Sequence, residues 1–360
     1  MTPTKTARSR VHALVGAGGA ALRALDAHVR GRPALVGANL FVTQRCNLRC
    51  VYCSSPLRRM RELATAQWLA IVDELADLGC RRLTFLGGEP LVRADLGELI
   101  AHARSRGLGV VVTSNGLLVP HRIGMLRDVD TLVLSLDAAG PANDAVRGEG
   151  VFAAVEAAIA AAKQHDIAVK LNAVMSAVTA PHLDDLLAFT ERHDLYLTIN
   201  IVRSGASDLW KDASAVKDDD DAITRLCVRL AGLARTNRRL LFSPQTYRYA
   251  AGWSDYSRDR FERAELASDD ARRRDGPSCH AGRAYISIDA DGAVYPCTIT
   301  FQRIIGGNAA TDGVSRAWRR LHDHPCVACY SPCMVEQNFL HSLKPGVLSH
   351  FARRHLLRFP

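Results

Sequence analysis

Short apolar runs alternate with amphipathic stretches along most of this chain. Between the runs, apolar residues recur at helical spacing, as in Trp68, Val72 and Leu75. Alternating strands and helices predict a parallel sheet with helices outside it, and such apolar runs are typical of strands buried on both faces. Six units are fewer than the eight of a closed barrel. The six predicted strands are 38–43, 82–87, 109–114, 131–136, 168–174 and 196–202.

Polar motifs follow the carboxyl ends of these predicted strands. The run CNLRCVYC (46–53) comes after the first strand, and GGEP (87–90) ends the second. TSNG (113–116) ends the third, SLD (135–137) ends the fourth, and Asn172 lies near the end of the fifth. Functional groups of parallel barrels gather at that end of the strands. The pattern therefore predicts one site there.

Cys46, Cys50 and Cys53 have the spacing C-x3-C-x2-C, which places three thiols on one short loop. Soft thiolate ligands suit iron–sulfur or zinc chemistry. A closed structural zinc site uses four protein ligands, so three local thiolates leave one coordination position open. The alternatives are a zinc knot and buried free thiols.

The motifs together resemble those of the radical SAM enzymes. CNLRCVYC, GGEP, TSNG, SLD and the pair Arg147–Gly148 occur in the order usual for that superfamily, over roughly residues 36 to 205. The resemblance implies an α/β fold, a partial (β/α)6 TIM-like barrel. It also implies a [4Fe–4S] cluster whose unique iron chelates S-adenosylmethionine (SAM). One electron then splits SAM into methionine and a 5′-deoxyadenosyl radical, which abstracts hydrogen from the substrate.

The resemblance also implies residue roles. The three cysteines would hold the cluster, Gly87 and Gly88 would let the backbone approach the methionyl group, and Glu89 would fix its amino group. For polar residues beyond Glu89, ordinary hydrogen bonding at strand ends is the alternative. The other implied cofactor contacts are Tyr52 beside the adenine, Ser135 and Asp137 at the ribose, Arg147 at the carboxylate, and Asn115 and Asn172 facing the pocket.

A second cysteine group follows the barrel. Cys279 and Cys297 bracket a predicted hairpin, AYISID and AVYPC joined by a turn that ends at Gly292. A hairpin returns the chain on itself, so both thiols can face one metal. The segment resembles SPASM and twitch domains, which bind auxiliary iron–sulfur clusters. The full SPASM pattern has seven cysteines and two auxiliary clusters, whereas this group has five.

Five thiolates favour one auxiliary [4Fe–4S] cluster, as in twitch domains. The preferred ligands are Cys279, Cys297, Cys326 and Cys329, and Cys333 is the alternative fourth ligand. A structural zinc site made of the same residues is the other interpretation.

The predicted domain boundaries follow from these assignments. The tail is basic and amphipathic, so it is able to make a peripheral membrane contact on anionic lipid, or to cap the barrel mouth by packing Phe351 and Leu356. The predicted segments are a basic N-terminal helical extension (1–34), the barrel (35–240), a charged linker (241–276), a small hairpin-and-helix auxiliary domain (277–340) and the tail (341–360).

Composition narrows the partners and the location. The chain has 360 residues, a formal charge of +9 and ten cysteines, with no signal peptide and no apolar run long enough for a bilayer. So many cysteines without export favour metal binding in a reducing cytoplasm. The positive charge favours an anionic small-molecule substrate and an acidic electron donor of the flavodoxin or ferredoxin type. Without an RNA-binding motif, nucleic acid is not expected as a partner.

We therefore predict a radical SAM enzyme that acts on a small molecule or natural-product intermediate. Fewer than fifty residues precede Cys46, without strand-like patterning, so we expect no built-in domain for a peptide leader. One alternative is a maturase of ribosomally made peptides, and another is a lipid-modifying enzyme. A non-catalytic iron–sulfur sensor or electron carrier is the alternative of another class.

Overall fold

The computed structural model describes residues 30–203, 216–253, 255–267, 270 and 275–356, together with Arg23 and Leu25. Six parallel strands, paired in chain order, form the main sheet, and each lies within one residue of its predicted bounds. The partial (β/α)6 barrel is confirmed. The strands are β1 (Gly37–Thr43), β2 (Arg82–Gly87), β3 (Gly109–Ser114), β4 (Thr131–Ser135), β5 (Val169–Met175) and β6 (Tyr196–Ile201).

Helices cover the outer face of this sheet and continue into the second half of the chain. The α-helices of the described ranges are α1 (Thr65–Asp77), α2 (Leu96–Ser105), α3 (Val119–Arg122), α4 (Pro141–Arg147), α5 (Val151–Gln164), α6 (Leu183–Arg192), α7 (Asp220–Thr236), α8 (Pro244–Ala251), α9 (Val314–Arg319), α10 (Pro332–His341) and α11 (Pro345–Phe351). Short 3-10 helices occur at Ser55–Leu57, Pro90–Val92, Ile123–Leu126, Ala180–His182 and Thr298–Thr300.

The two faces of the barrel strands differ sharply. On the outer face Leu83, Leu132 and Leu197 are completely buried under the helices. On the inner face Thr84 and Thr131, and their counterparts along the other strands, are only half-buried. The prediction of strands buried on both faces is therefore wrong. Six strands leave the barrel incomplete, and small polar side chains do not fill its interior.

The predicted hairpin forms and extends the barrel sheet. The antiparallel strands β8 (Tyr285–Ile288) and β9 (Ala293–Tyr295) make the hairpin, and β8 also pairs in parallel with β1. The two-residue strand β10 (Gly307–Asn308) adds to β9, giving the order β10-β9-β8-β1-β2-β3-β4-β5-β6. The auxiliary segment is thus an edge of the same sheet.

The span predicted as a charged linker, 241–276, contains packed structure. It includes α8 and the strand β7 (Arg260–Glu262), which pairs antiparallel with β11 (Cys326–Cys329). Trp253 and Phe261 are buried there against Tyr330. The aromatic core of this span is hard to recognise in the sequence, because its rings are widely spaced among exposed charged residues and form no apolar run.

The tail packs on helices near the start of β6. Val347 of α11 packs against α10, and Arg354, in the π-helix Ala352–Leu356, donates a hydrogen bond to the Ala234 carbonyl at 3.1 Å. Because the strands begin at this end, the described part of the tail lies away from the mouth. Most of the predicted extension 1–34 lies outside the described residues. Within the described chain, no helix has the length and apolarity needed to cross a membrane.

Candidate active site

The chain leaving β1 lies directly against the GGEP turn. The Gly88 N–H donates to the Thr43 carbonyl and the Glu89 N–H donates to the Arg45 carbonyl, both at 2.8 Å. A Cβ added at Gly87 would lie 2.3 Å from the Thr43 oxygen, and one at Gly88 would lie 2.2 Å from the Arg45 oxygen. These glycines make room for the backbone that enters the cysteine loop. Sequence reasoning expected them to make room for the methionyl group.

The cysteine loop is a compact turn. The Cys53 N–H donates to the Cys50 carbonyl at 3.1 Å, and the Leu48 N–H donates to the Cys46 sulfur at 3.4 Å. Burial raises the pKa of the Cys46 thiol to about 12, although the hydrogen bond from Leu48 opposes this. A cationic metal centre stabilises thiolates against such desolvation. Three soft donors on one turn therefore fit an iron–sulfur cluster with an open position.

Tyr52, Asp137 and Arg147 form a buried brace beneath this loop. Asp137 is completely buried and accepts hydrogen bonds from Tyr52 Oη at 2.6 Å, Arg147 Nη2 at 2.8 Å and the Val174 N–H at 2.8 Å. Burial disfavours the Arg147 cation, but the Asp137 carboxylate raises the pKa of Arg147 above its usual range. We expected contacts to the adenine, ribose and carboxylate of SAM from these three residues. The structure places these residues against each other, and their contacts to SAM stay a prediction.

Glu89 lies at the end of β2 and is completely buried. Its carboxylate accepts hydrogen bonds from Ser114 Oγ at 2.9 Å, the Asn115 N–H at 2.7 Å and the Leu91 N–H at 3.1 Å. Burial raises the pKa of Glu89 to about 7, even though these three hydrogen bonds lower it. A desolvated carboxylate of this kind is well suited to hold a cationic amino group.

Asn115 connects the third strand end to the cysteine loop. Its Nδ2 donates to Asn47 Oδ1 at 2.7 Å and lies 3.8 Å from the Cys46 sulfur. Its Oδ1 accepts a hydrogen bond from the Leu117 N–H at 3.1 Å. Asn115 therefore contacts the loop. Sequence reasoning missed Asn47, which lies inside the cysteine motif itself.

Ser135 and Asn172 are register partners on β4 and β5 and face the barrel interior. Asn172 Oδ1 accepts hydrogen bonds from Thr198 Oγ1 and Asn200 Nδ2, both at 2.9 Å. Asn200 Oδ1 in turn accepts from the Cys333 N–H at 3.1 Å. Sequence reasoning missed Thr198 and Asn200, although the alternation in YLTINI places both on one face of β6.

Helix α10 lies across the open side of the barrel, between β6 and β8. Near its start, the Cys333 N–H binds Asn200 of β6. Further along, Asn338 Oδ1 accepts hydrogen bonds from Tyr285 Oη of β8 at 2.9 Å and from the His280 N–H at 2.8 Å. The auxiliary region thus closes the gap that six strands leave.

The second cysteine group lines a small cavity of about 10 Å³, room for roughly one water molecule. Tyr285 and Met334 supply part of its apolar wall. Cys333 is not among the lining residues, and its sulfur lies 3.3 Å from Ser331 Oγ. The cysteines that line the cavity are Cys279, Cys297, Cys326 and Cys329.

Electrostatics in this cavity are dominated by the thiols. A hydrogen bond from Cys326 lowers the pKa of Cys279 and raises that of Cys326, and burial raises the pKa of Cys297 to about 12. His324, which sequence reasoning missed although it lies two residues before Cys326, further lowers the pKa of Cys279. His324 Nε2 lies 2.8 Å from the Ala281 carbonyl oxygen.

Four thiols line one apolar cavity, and thiolates are the ligands of iron–sulfur clusters. Across the described residues, no three side chains of metal-binding type are gathered closely enough to hold a single metal ion.

Comparisons with known proteins agree with this donor chemistry. The radical SAM superfamily model matches residues 40–189, and an iron–sulfur cluster-binding domain model of the SPASM type matches residues 279–329. Mycofactocin maturase MftC of Mycobacterium ulcerans (strain Agy99) is 31% identical over 77% of this chain and 73% of its own length. PqqA peptide cyclase of Streptomyces rochei is 39% identical over 40% of this chain and 41% of the cyclase.

A solved structure shares the fold. Streptococcus suis SuiB, crystallised with SAM, is 18% identical, with a TM-score of 0.61 over 82% of this chain and 68% of SuiB. SuiB has also been crystallised with its precursor peptide SuiA, and that structure gives a TM-score of 0.59. The radical SAM domain implies a [4Fe–4S] cluster and SAM as cofactors. The chain belongs to the radical SAM superfamily of enzymes and carries an iron–sulfur cluster-binding domain of the SPASM type after its barrel.

Proposed function

We propose that this enzyme modifies a precursor peptide by abstracting a hydrogen atom from it. A maturase is similar to this chain over 77% of its length, and a second relative is named for its peptide substrate. These relatives favour the peptide alternative over the small-molecule substrate that we preferred from sequence.

The inner face of the barrel is the observation that carries this proposal. It runs from the strand ends beside the cysteine loop along the whole length of the six strands. Ser135, Asn172 and Thr198 are half-buried on it and present polar groups to the interior. A hydrogen-bonding surface of this kind suits an extended peptide, whose backbone amides need partners once they leave water.

Each residue of the candidate site has a specific role in this proposal. Cys46, Cys50 and Cys53 hold the cluster, and Glu89 binds the amino group of SAM with its desolvated carboxylate. When bound, the cluster and SAM supply a 5′-deoxyadenosyl radical that takes one hydrogen atom from the substrate. The buried brace of Tyr52, Asp137 and Arg147 fixes the loop, so the cluster keeps one position relative to the inner face of the barrel.

We further propose that one auxiliary [4Fe–4S] cluster occupies the cavity lined by Cys279, Cys297, Cys326 and Cys329. An electron donor of the flavodoxin or ferredoxin type fits the net positive charge of the chain. Cys333 then serves through its backbone N–H, which holds α10 on β6.

The test is anaerobic reconstitution followed by assay with SAM and dithionite. Candidate peptides are those encoded by short reading frames beside the gene, and the measurement is the peptide mass together with released 5′-deoxyadenosine. We expect a mass change in one peptide only when SAM is present. Cys50→Ala should abolish both signals, whereas the matched variant Cys227→Ala, which alters a buried thiol outside both sites, should keep them. Deoxyadenosine formation without any peptide change would contradict the peptide proposal.

A small anionic molecule is the second candidate substrate. Basic side chains on the inner face of the barrel favour it, because they suit a carboxylate or phosphate. Deoxyadenosine release stimulated by a metabolite, but by no peptide, would select this candidate.

A further inference from the structure

Arg82 and Lys170 lie on the inner face of the barrel, near the starts of β2 and β5. The strand register shows this. Thr84, two residues after Arg82, shares its face through β3 with Thr131 of β4. Val133, two residues further along β4, is the register partner of Lys170. Side chains two residues apart point to the same side of a sheet, so both cations face the interior.

No carboxylate among the described residues pairs with either cation. Within these ranges neither Arg82 nor Lys170 forms a salt bridge or a side-chain hydrogen bond. Burial and, as a smaller effect, the positive charge of Arg82 lower the pKa of Lys170 to about 8. Burial also lowers the pKa of Arg82, although part of its surface is exposed to solvent. A side chain that lines an internal space is expected to be both partly desolvated and partly exposed.

Helix α10 brings further bases to the same place. Burial, together with smaller effects of His280 and Arg82, lowers the pKa of His341, at the end of α10, to about 4. The His341 ring lies 6.0 Å from that of Tyr285 on β8 and 5.8 Å from that of His280, measured between centroids. The groups that face the pair from α10, β8 and the preceding loop are thus imidazole and phenol rings.

The first 61 residues can add almost no compensating negative charge. Asp26 is the only acidic residue among residues 1–61. Two partly desolvated like charges repel each other, and an anion bound between them relieves this repulsion. Two cations on the inner face with no carboxylate partner among the described residues are therefore suited to a ligand that carries negative charge.

We propose that Arg82 and Lys170 bind a carboxylate or phosphate group of the substrate inside the barrel. Arg82 precedes Gly87 by five residues, roughly 16 Å along an extended strand. A substrate held by its anionic group at this end can extend along the polar inner face to the cysteine loop. That the anion belongs to the substrate rests on the proposed function, but the anion site itself does not.

Chemical labelling of the reconstituted holoenzyme tests the site without turnover. Acetic anhydride at pH 8 acetylates neutral amines, and mass spectrometry gives the rate at Lys170, with Lys163 on α5 as an internal reference. The probes are inorganic phosphate, N-acetylglycine and the neutral N-acetylglycinamide, at constant ionic strength. We expect at least one of the two anions to slow acetylation of Lys170 severalfold and to leave Lys163 unchanged. The amide should have no effect on either lysine.

The two anion arms identify the source of the charge. Protection by N-acetylglycine alone indicates a carboxylate, as on a peptide, and protection by phosphate alone indicates a phosphorylated substrate. Arg82→Gln should weaken protection about tenfold, whereas Arg192→Gln, on the exposed side of α6, should not change it. Equal acetylation rates of Lys170 with and without anions would overturn the inference. Complete lack of reaction at Lys170 would also overturn it, since the amine would then not face an accessible space.

These outcomes separate the inference from the proposed function. Protection without any peptide modification would refute the peptide proposal and keep the anion site. Peptide modification without protection would refute the anion site alone.

Discussion

The two cysteine sites are built in different ways. The first takes its three thiols from a single turn, and a fully buried carboxylate, Asp137, braces that turn from below. The second takes its thiols from three separated segments, around an apolar cavity in which no carboxylate is among the lining residues. A turn with three ligands leaves a position open and must be held in place from outside. Four thiols around one cavity would fill all the protein ligand positions of a bound cluster, and the fold itself positions these thiols.

The largest expected effect comes from breaking the brace. Asp137→Asn leaves the buried Arg147 cation without its charge partner, and breaking a buried ion pair costs about 3–5 kcal/mol of unfolding free energy. Urea denaturation measures this loss. The matched control is Asp184→Asn, which breaks an exposed pair with Arg229 and should cost far less. Equal losses in the two variants would show that the brace does not stabilise the loop.

The second prediction separates the ligands of the auxiliary cavity. Cys279→Ser should lower the iron content from about eight to about four atoms per chain, because the cavity loses one of its four thiolates. Cys333→Ser should leave the iron content unchanged, since that thiol does not line the cavity. Iron and sulfide analysis after reconstitution provides the measurement. If Cys333→Ser loses iron and Cys279→Ser does not, the ligand assignment is wrong.

The difference between the sites also explains what the sequence could predict. All six barrel strands follow from local apolar runs, and the first cysteine motif is recognisable because its ligands are neighbours in the chain. The brace joins Tyr52, Asp137 and Arg147, which lie far apart in the sequence. Their motifs predicted that the three residues are close together, but not that their side chains hydrogen-bond to one another. The aromatic core around Trp253 escaped notice for a related reason, because one of its partners, Tyr330, comes from the auxiliary domain.

The strand faces could have been predicted but were not. The alternation in TLVLS and YLTINI already separates an apolar side from a polar one. The general expectation for parallel strands, burial on both faces, obscured it. An incomplete barrel departs from that expectation because small polar side chains leave its interior unfilled.

The third prediction concerns pH and applies to the first site only. The folded chain raises the pKa of Glu89 from 4.5 to about 7, so the group holds a proton below neutrality. Accepting hydrogen bonds from the amino group of SAM requires the carboxylate, so SAM affinity should fall as the pH falls through 7, by about tenfold per unit. SAM titrations at pH 6 and pH 8 measure this. Glu89→Gln should bind weakly at both values, and a pH-independent affinity of the unaltered enzyme would contradict the assignment.

The smallest expected effect lies where the two sites meet. Asn200 binds Asn172 on the barrel side and the Cys333 N–H on the auxiliary side, and it is half-buried. Asn200→Ala removes two hydrogen bonds at a site that water can partly reach, so we expect a loss of about 1 kcal/mol or slightly more. The effect should extend beyond stability, because α10 loses its contact to β6 while the brace of the first loop stays intact. Iron should therefore leave the auxiliary cavity faster in the presence of a chelator, with the first cluster unaffected. Thr198→Val is the control, since it removes only a bond on the barrel side. Equal chelator sensitivity in both variants would mean that the contact between Asn200 and Cys333 does not couple the two sites.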